Sequence, residues 1–441
     1  MAILKIKNFG VIGENPQDKE GFFSVKFSPV TVFIGKQASG KSTIAKLISI
    51  FSWFEKRLIR EDTPFSPFLF NINTSAFETL CNQQEMKEYF HPNTKIVYNG
   101  DVYICEYDKE NNIFKAHRSD TAENYILPKI QYITSARNLL TILYEFELPN
   151  TLDKRGNIIN LATKIPYMVT DLNGTYIQAL KELAKEGFSL PINGISVYYQ
   201  NHTTFIKTNE ISSISMSAAS SGIQSITPLL IVSKYLSKEV QKDIFQKLQS
   251  PINEISQKQM ELEILKDENA DLYKTYSNLK DGFFYKDEIS QSEKDNISKI
   301  EKISHKFIPA CFYNIVEEPE QNLFPETQAE VLYELLECKN ANSRNKLVIS
   351  THSPYILTAL NNAILASDVY DKTHQAVESI PLSKMVSFDD VSAYKLEDGK
   401  IISITDNETR LIDASQIDVC SSIINEVFDE LMDLYDGQEN N

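Results

Sequence analysis

The hydrophobic pattern of the chain alternates between short apolar runs and longer helical periodicities. Residues 31–34 (TVFI) form a β-branched and aromatic run of the kind a buried strand requires. After a glycine-containing loop come Ile44, Leu47, Ile48, Phe51, Phe54 and Leu58, spaced mostly three and four apart, which predicts one apolar face of a helix. Residues 3–9 mix apolar and basic positions as a half-exposed strand does. Residues 22–27 predict a second strand, which Pro29 ends. Residues 95–105 predict a hairpin turning at Asn99-Gly100. Residues 195–199 and 203–206 predict another near Asn201-His202, and residues 393–404 a third about Asp398-Gly399. Further buried strands are expected at 129–134, 312–316 and 346–350, and a helix at 176–185 that stops at Gly187. Pro64, Pro67 and the rings of Phe65, Phe68 and Phe70 suggest an aromatic-packed loop.

Residues 237–307 are polar and charged, with two narrow apolar stripes. Val240, Ile244 and Leu248 are four apart, and Ile297, Ile300, Ile303 and Phe307 follow later; Pro251 and Gly282 punctuate the stretch. This predicts a helical arm or hairpin whose stripes form its own seam. The chain closes with an expected amphipathic helix at 417–434, with Ile424, Val427 and Leu431 on one face, and an acidic tail from Asp433.

Composition narrows the class. The 441 residues hold material for two or three domains, and 42% hydrophobic with 24% charged residues is the mixture of a soluble globular protein. The formal net charge of −16 argues against a uniformly basic nucleic-acid binder, while leaving room for a local basic face. Five scattered cysteines without a C-x-x-C pair read as reduced core thiols of a cytoplasmic protein. Neither a secretory leader nor a membrane-spanning run is expected.

The first candidate chemistry lies directly after the 31–34 strand. Gly35, Gly40, Lys41 and Ser42 have the P-loop spacing, and the strand before and helix after supply its context. In such a loop the backbone from Gly35 through Gln37 and Ser39 to Gly40 and Thr43 turns N–H groups toward phosphates, at the positive end of a helix. Lys41 would reach the β- and γ-phosphates of ATP, and the Ser42 hydroxyl would ligate Mg²⁺. Lys36, one residue after the first glycine, should point elsewhere. Later, the 312–316 strand delivers Glu317 and Glu318 at its end, and the 346–350 strand delivers His352 in T-H-S-P.

These features, taken together and in order, resemble the head of the RecF, SMC and OLD group of ABC-type ATPases. Asn8-Phe9 matches the strand that precedes the P-loop, and residues 132–138 match a "Y-I-x-x-x-R-N" turn. Ser220-Ser221-Gly222-Ile223-Gln224 is similar to the ABC signature; a serine-capped helix start is the alternative, and the flanking motifs favour the signature. Residues 318–325 match "E-P-E-x-x-L-F-P", the Walker B acid and D-loop. The departures are Gln37 and Ala38 where Asn and Gly are usual, and Glu317 where Asp is usual.

The resemblance implies an α/β P-loop NTPase: an ABC-ATPase head with the P-loop strand central in a mixed sheet. It adds an antiparallel β lobe and a helical arm between signature and Walker B. The segments would be 1–236 and 308–441 for the head and 237–307 for the arm. It further implies that Glu318 polarises the attacking water, Glu317 orders Mg²⁺ and His352 senses the γ-phosphate. Ser221, Gly222 and Gln224 would grip ATP held on the opposite subunit of a homodimer or larger homo-oligomer. Arg137 would touch phosphate or the partner subunit, unless it caps a surface turn. The implied role is an ATP-hydrolysing switch of bacterial anti-phage defence, of the Septu or PARIS kind, acting on DNA or on a separate nuclease or toxin effector. A RecF- or SMC-like repair ATPase and a non-hydrolysing ATP-gated scaffold are the alternatives; a missing Q-loop pattern disfavours a transporter subunit. Asp389-Asp390 is adjacent and lacks the D-x-D spacing of an OLD nuclease, so DNA cleavage by this chain is not expected.

Overall fold

The computed structural model describes residues 2–61, 73–119, 125–143, 151–152, 158–159, 167–192, 194–208, 213–250, 254–267, 269–282 and 290–413. The expected helix at 417–434, the loop around Phe65 to Phe70 and Cys420 lie outside them.

In chain order the first elements are β1 (Ile3–Phe9), β2 (Phe23–Lys26), β3 (Val30–Gly35), α1 (Lys41–Glu61), α2 (Thr74–Gln83), β4 (Phe90–Asn99), β5 (Tyr103–Asp108), β6 (Ile113–Arg118) and β7 (Pro128–Ile133). There follow α3 (Leu139–Leu143), the pair β8 (Thr151–Leu152) and β9 (Ile158–Ile159), α4 (Tyr167–Leu183), β10 (Phe188–Ser189), β11 (Ser196–Gln200), β12 (Thr203–Lys207) and β13 (Ile214–Ser215). Then come α5 (Ser221–Glu239), α6 (Ile244–Gln249), α7 (Glu254–Leu265), α8 (Ala270–Lys280) and α9 (Gln291–Phe307). The last are β14 (Cys311–Glu317), α10 (Pro325–Asn340), β15 (Lys346–Thr351), α11 (Pro354–Thr373), β16 (Val391–Glu397), β17 (Lys400–Ser403), β18 (Thr405–Asp406) and β19 (Leu411–Ile412).

The fold is α/β, as expected, and a six-stranded sheet of order β17-β16-β3-β15-β14-β7 organises it. Five of these strands run parallel, from β16 through β3, β15 and β14 to β7; β17 is the antiparallel hairpin partner of β16. The P-loop strand is therefore central. Register aligns the strand ends: Ile349 pairs with Val32, and Val316 pairs with both Ile349 and Ile133. Four loops consequently leave the same edge: the P-loop after β3, the His352 turn after β15, the Glu317–Glu318 corner after β14, and the Thr134–Asn138 turn after β7. Ligands of open parallel sheets bind at this carboxyl edge.

Both faces of the sheet are covered, which is why its strands are continuously apolar. On one face, α1 packs Ile44, Leu47, Ile48, Phe51, Phe54 and Leu58 into a core shared with Phe33, Ile315 and Val348. Each such side chain contributes about 1.5–3 kcal/mol of burial. That core continues into a five-stranded antiparallel lobe, β2-β1-β4-β5-β6, in which Phe51 stacks on Tyr98. On the other face, α4, α5, α10 and α11 cover Val30, Val32, Leu347 and Ile349. A small sheet, β10-β11-β12-β13, flanks α4, and its hairpin turns at Asn201 and His202, both with positive φ.

Among the described residues of 244–307, α6, α7, α8 and α9 share a separate core that includes Leu248, Met260, Ile264, Leu272, Tyr276, Ile300 and Phe307. The stripe drawn from Val240 through Ile244 to Leu248 is not one helix. α5 ends at Glu239, Asp243 caps α6 by accepting from Gln246 N–H, and Val240 belongs to the head core. Arg60 Nη2 donates to Phe307 O at 2.7 Å, tying α9 to the P-loop helix. Among the described residues four cysteines are buried and free of disulfides, and no helix is long and apolar enough to cross a membrane.

The lobe is joined to α1 by a buried carboxylate. Glu55 Oε1 accepts the N–H groups of Val102 at 2.5 Å and Tyr103 at 3.0 Å, in the β4–β5 turn. Gly100 is required there, because a Cβ would lie 2.3 Å from Glu55 Oε1. Burial drives the Glu55 pKa up to about 7 against the pull of those two N–H groups. A raised carboxyl pKa adds stability below its ordinary value of 4.5, and this is lost as pH rises through about 7. Glu55→Gln keeps the acceptor and removes the titration. Its melting temperature should therefore fall less steeply than wild type between pH 4.5 and about 7; parallel curves would refute the assignment.

Candidate functional site

The P-loop is shaped by close approaches that only glycine allows. A Cβ on Gly35 would sit 2.3 Å from Leu396 O on the neighbouring β16, and Gly40 has φ +99 with Val11 Cγ2 3.0 Å from a built Cβ. Ala38 occupies the left-handed region at φ +59, a conformation glycine adopts more cheaply. The loop keeps its turn despite this departure. Gln37 and Lys36 are exposed at its tip, Ser39 is half-buried and Thr43 is buried at the start of α1.

Lys41 is the buried centre of this loop. Its Nζ donates to Gly35 O and Lys36 O, both at 2.8 Å, and lies 3.4 Å from Ser39 Oγ and from His352 Nδ1. An ammonium only donates, so Nδ1 is the accepting nitrogen and the His352 proton falls on Nε2. That nitrogen lies 3.5 Å from Glu318 Oε1. Burial lowers the Lys41 pKa to about 8, while the charges of Glu318 and Glu320 act in the opposite direction. Lys41, His352 and Glu318, from the ends of three adjacent parallel strands, thus share one wall of a cavity of about 480 Å³. Residues 37–40, 42 and 43 line the same cavity.

Glu317 joins through Ser42. Its carboxylate accepts from Tyr132 OH at 2.5 Å and Ser135 N–H at 2.9 Å, and the nearby Ser42 hydroxyl adds to the pull that keeps it ionised. Burial pushes its pKa up, but these hydrogen bonds and the charge of Lys46 outweigh it, and the net displacement is downward. Glu317 is therefore an ionised carboxylate beside the P-loop serine, which is the donor set Mg²⁺ takes in such sites. The two bonds from the β7 end hold its longer side chain in place.

Arg137 is neither a surface cap nor placed to meet phosphate, which corrects both expectations. It is fully buried. Its guanidinium donates to Ser225 O at 3.0 Å, Thr134 O at 3.3 Å, Glu317 O at 2.6 Å and Glu318 O at 2.7 Å. It braces α5, the β7 turn and the acidic corner together. Gln224 is also occupied: Nε2 donates to Met216 O, Ser217 O and Ala219 O, folding the turn before α5 rather than reaching out. Ser221 is exposed, and Ser220 stands at the N-cap without a side-chain cap bond. Gly222 is buried because a Cβ would meet Asn322 O at 2.7 Å. Neither Ser221 nor Gly222 lines the P-loop cavity.

Sequence reasoning missed several contributors. Glu320 Oε1 accepts the His352 N–H at 2.7 Å, and burial raises its pKa. Glu318 has φ +44, so the corner that aims the two acids is backbone-strained. Tyr89, His91, Gly10 and Val11 line the cavity from the β lobe, with His91 Nε2 2.8 Å from Gly10 O. A lone tyrosine in a short turn carries no local signal; only the folding of β1 and β4 onto the P-loop brings it there.

Arg137→Met removes the guanidinium from four carbonyls, of which Thr134 O and Glu318 O keep a backbone donor. It should lower the unfolding free energy by about 3 kcal/mol in chemical denaturation. Arg137→Lys should fail to restore it, because one ammonium cannot reach three segments. A loss below about 1 kcal/mol would show that the brace is dispensable.

No family model matches the chain, and no curated protein matches its sequence. Among solved structures it aligns with an Smc head bound to the C-winged helix domain of ScpA, at 10% identity and TM-score 0.37, over 92% of this chain and 98% of that one. It also aligns with the SMC head domain from Thermotoga maritima, at 10% identity and TM-score 0.30, over 91% and 97%. A third is an Smc head with an extended coiled coil bound to the C-terminal domain of ScpA, derived from Pyrococcus furiosus, at 9% and 0.33, over 96% and 100%. TM-scores below 0.5 carry no argument, so the chemistry of the site is read from its own residues.

Proposed function

We propose that the chain binds ATP at the P-loop and hydrolyses it, working as a head-to-tail homodimer. The observation that carries this is the convergence of Lys41, His352 and Glu318 on one cavity, with the Glu317 carboxylate held ionised beside Ser42. On this reading Lys41 leaves its loop carbonyls for the β- and γ-phosphates, and the N–H groups at the α1 start complete the cradle. Ser42 and Glu317 hold Mg²⁺, which supplies positive charge against the phosphates. Glu318 aligns and polarises the attacking water, and His352 reports on the γ-phosphate, its backbone fixed by Glu320. Ser221 and Gly222 of the partner subunit close the site, which fits the exposure of Ser221 and the absence of both residues from the lining of their own P-loop cavity.

The D-loop is the route by which such a site could signal. Asn322 O packs on Gly222, and Ser225 Oγ donates to Gln321 Oε1 at 3.2 Å, so the residues after the acidic corner touch α5 directly. We read the output as control of a separate effector, a nuclease or toxin, in bacterial anti-phage defence, with DNA as a possible trigger. The sequence resemblance supports that assignment. Any cutting of DNA then belongs to the partner.

Glu318→Gln keeps the side-chain shape and loses the charge. It should bind ATP as wild type does while phosphate release slows by about a hundredfold or more. Wild-type turnover would move the catalytic carboxylate elsewhere.

A further inference from the structure

A second cavity, of about 430 Å³, lies between α1, the end of α2, β7 and α4, apart from the P-loop. Its charge is unlike that of the chain as a whole. Among the described residues, Lys56, Arg57 and Lys129 line it, opposed by one carboxylate, Asp171. In a chain of net charge −16, three cations converging on one concavity make a local anion trap. Burial holds both Lys56 and Lys129 below the ordinary lysine range against the charge of Asp171, and Lys56 Nζ donates to Pro128 O at 2.9 Å; a bound anion would favour the charged form of each.

The remaining lining is suited to a ring. Trp53 stands 37% exposed on the α1 face, with the Arg57 guanidinium 5.5 Å from its ring centroid. Ile50, Leu80 and Ile130 supply apolar wall. Gln83 and Gln84 add polar side chains to the lining. The volume is that of a small-molecule site and is too small for a duplex.

We infer that this cavity is a second ligand site that takes a small phosphorylated molecule with a flat ring, of the nucleoside monophosphate class. The phosphate would meet Lys129 and Arg57, and the ring would lie by Trp53. The site touches the nucleotide centre from behind. Tyr132, which lines it, is bonded to Glu317, and the Gln84 carbonyl accepts Lys46 Nζ at 2.9 Å. The binding claim does not depend on the ATPase reading.

Trp53 is the one tryptophan of the chain, so its emission reports on this cavity alone. Adenosine monophosphate titrated into wild type and into Lys41→Ala should give the same saturable change in emission, with inorganic phosphate competing and adenosine binding at least about tenfold more weakly. Lys129→Gln should weaken binding about tenfold, and Lys129→Arg should retain it. Asp171→Asn, which keeps its hydrogen-bonding shape, should tighten it several-fold and tests the site even if Lys129→Gln fails to fold. Three results would overturn the inference: no saturable change up to about 10 mM, a response lost in Lys41→Ala, or affinity unmoved by Asp171→Asn.

Discussion

Everything at the carboxyl edge of the sheet depends on one buried guanidinium. Arg137 reaches from the turn after β7 to the carbonyls of Glu317 and Glu318 and to Ser225 in α5. A charge taken wholly out of water persists only where its donors are satisfied, and the planar fork of arginine can satisfy several acceptors in fixed directions. Burial lowers its pKa to about 10, still far above neutrality, while the charges of Glu320, Glu318 and Glu317 favour the cation. The same β7 end supplies Tyr132 and Ser135 to the Glu317 carboxylate. The edge strand is therefore the platform on which both acids are aimed.

The parallel sheet does the rest by registration. Because β3, β15 and β14 end level with one another, Lys41, His352 and Glu318 meet without any long connection. The corner is strained at Glu318, and Glu320 just beyond it fastens the His352 turn. From there the chain passes Asn322, whose carbonyl leaves no room for a side chain at residue 222. The acidic corner, the histidine turn and α5 are thus in contact through a few residues.

The strands and the P-loop helix were legible because their signals are local. An apolar run, a glycine spacing and a three-four periodicity need no knowledge of distant residues, and the hairpins at Asn201-His202 and Asp398-Gly399 follow from residues that tolerate positive φ. Arg137 was legible as important and not as buried, since a guanidinium's partners lie 88 and 180 residues away in sequence. Gln224 was taken for a ligand because its spacing fits a signature, but three nearby carbonyls claim its amide. The stripe from Val240 to Leu248 failed for another reason: periodicity continues across a cap that Asp243 imposes. Tyr89, His91 and Glu320 enter the site only through tertiary packing.

The central claim is a nucleotide site completed by a second copy of the chain, and mixing two inactive variants tests it most directly. Lys41→Ala disables the P-loop, and Ser221→Arg places bulk on an exposed signature residue without touching the core. In a mixed head-to-tail dimer one site combines both lesions and the other combines two intact halves. Each variant alone should therefore be inactive in phosphate release, and their mixture should regain hydrolysis. Full activity of Ser221→Arg by itself, or no recovery on mixing well-folded variants, would contradict the account.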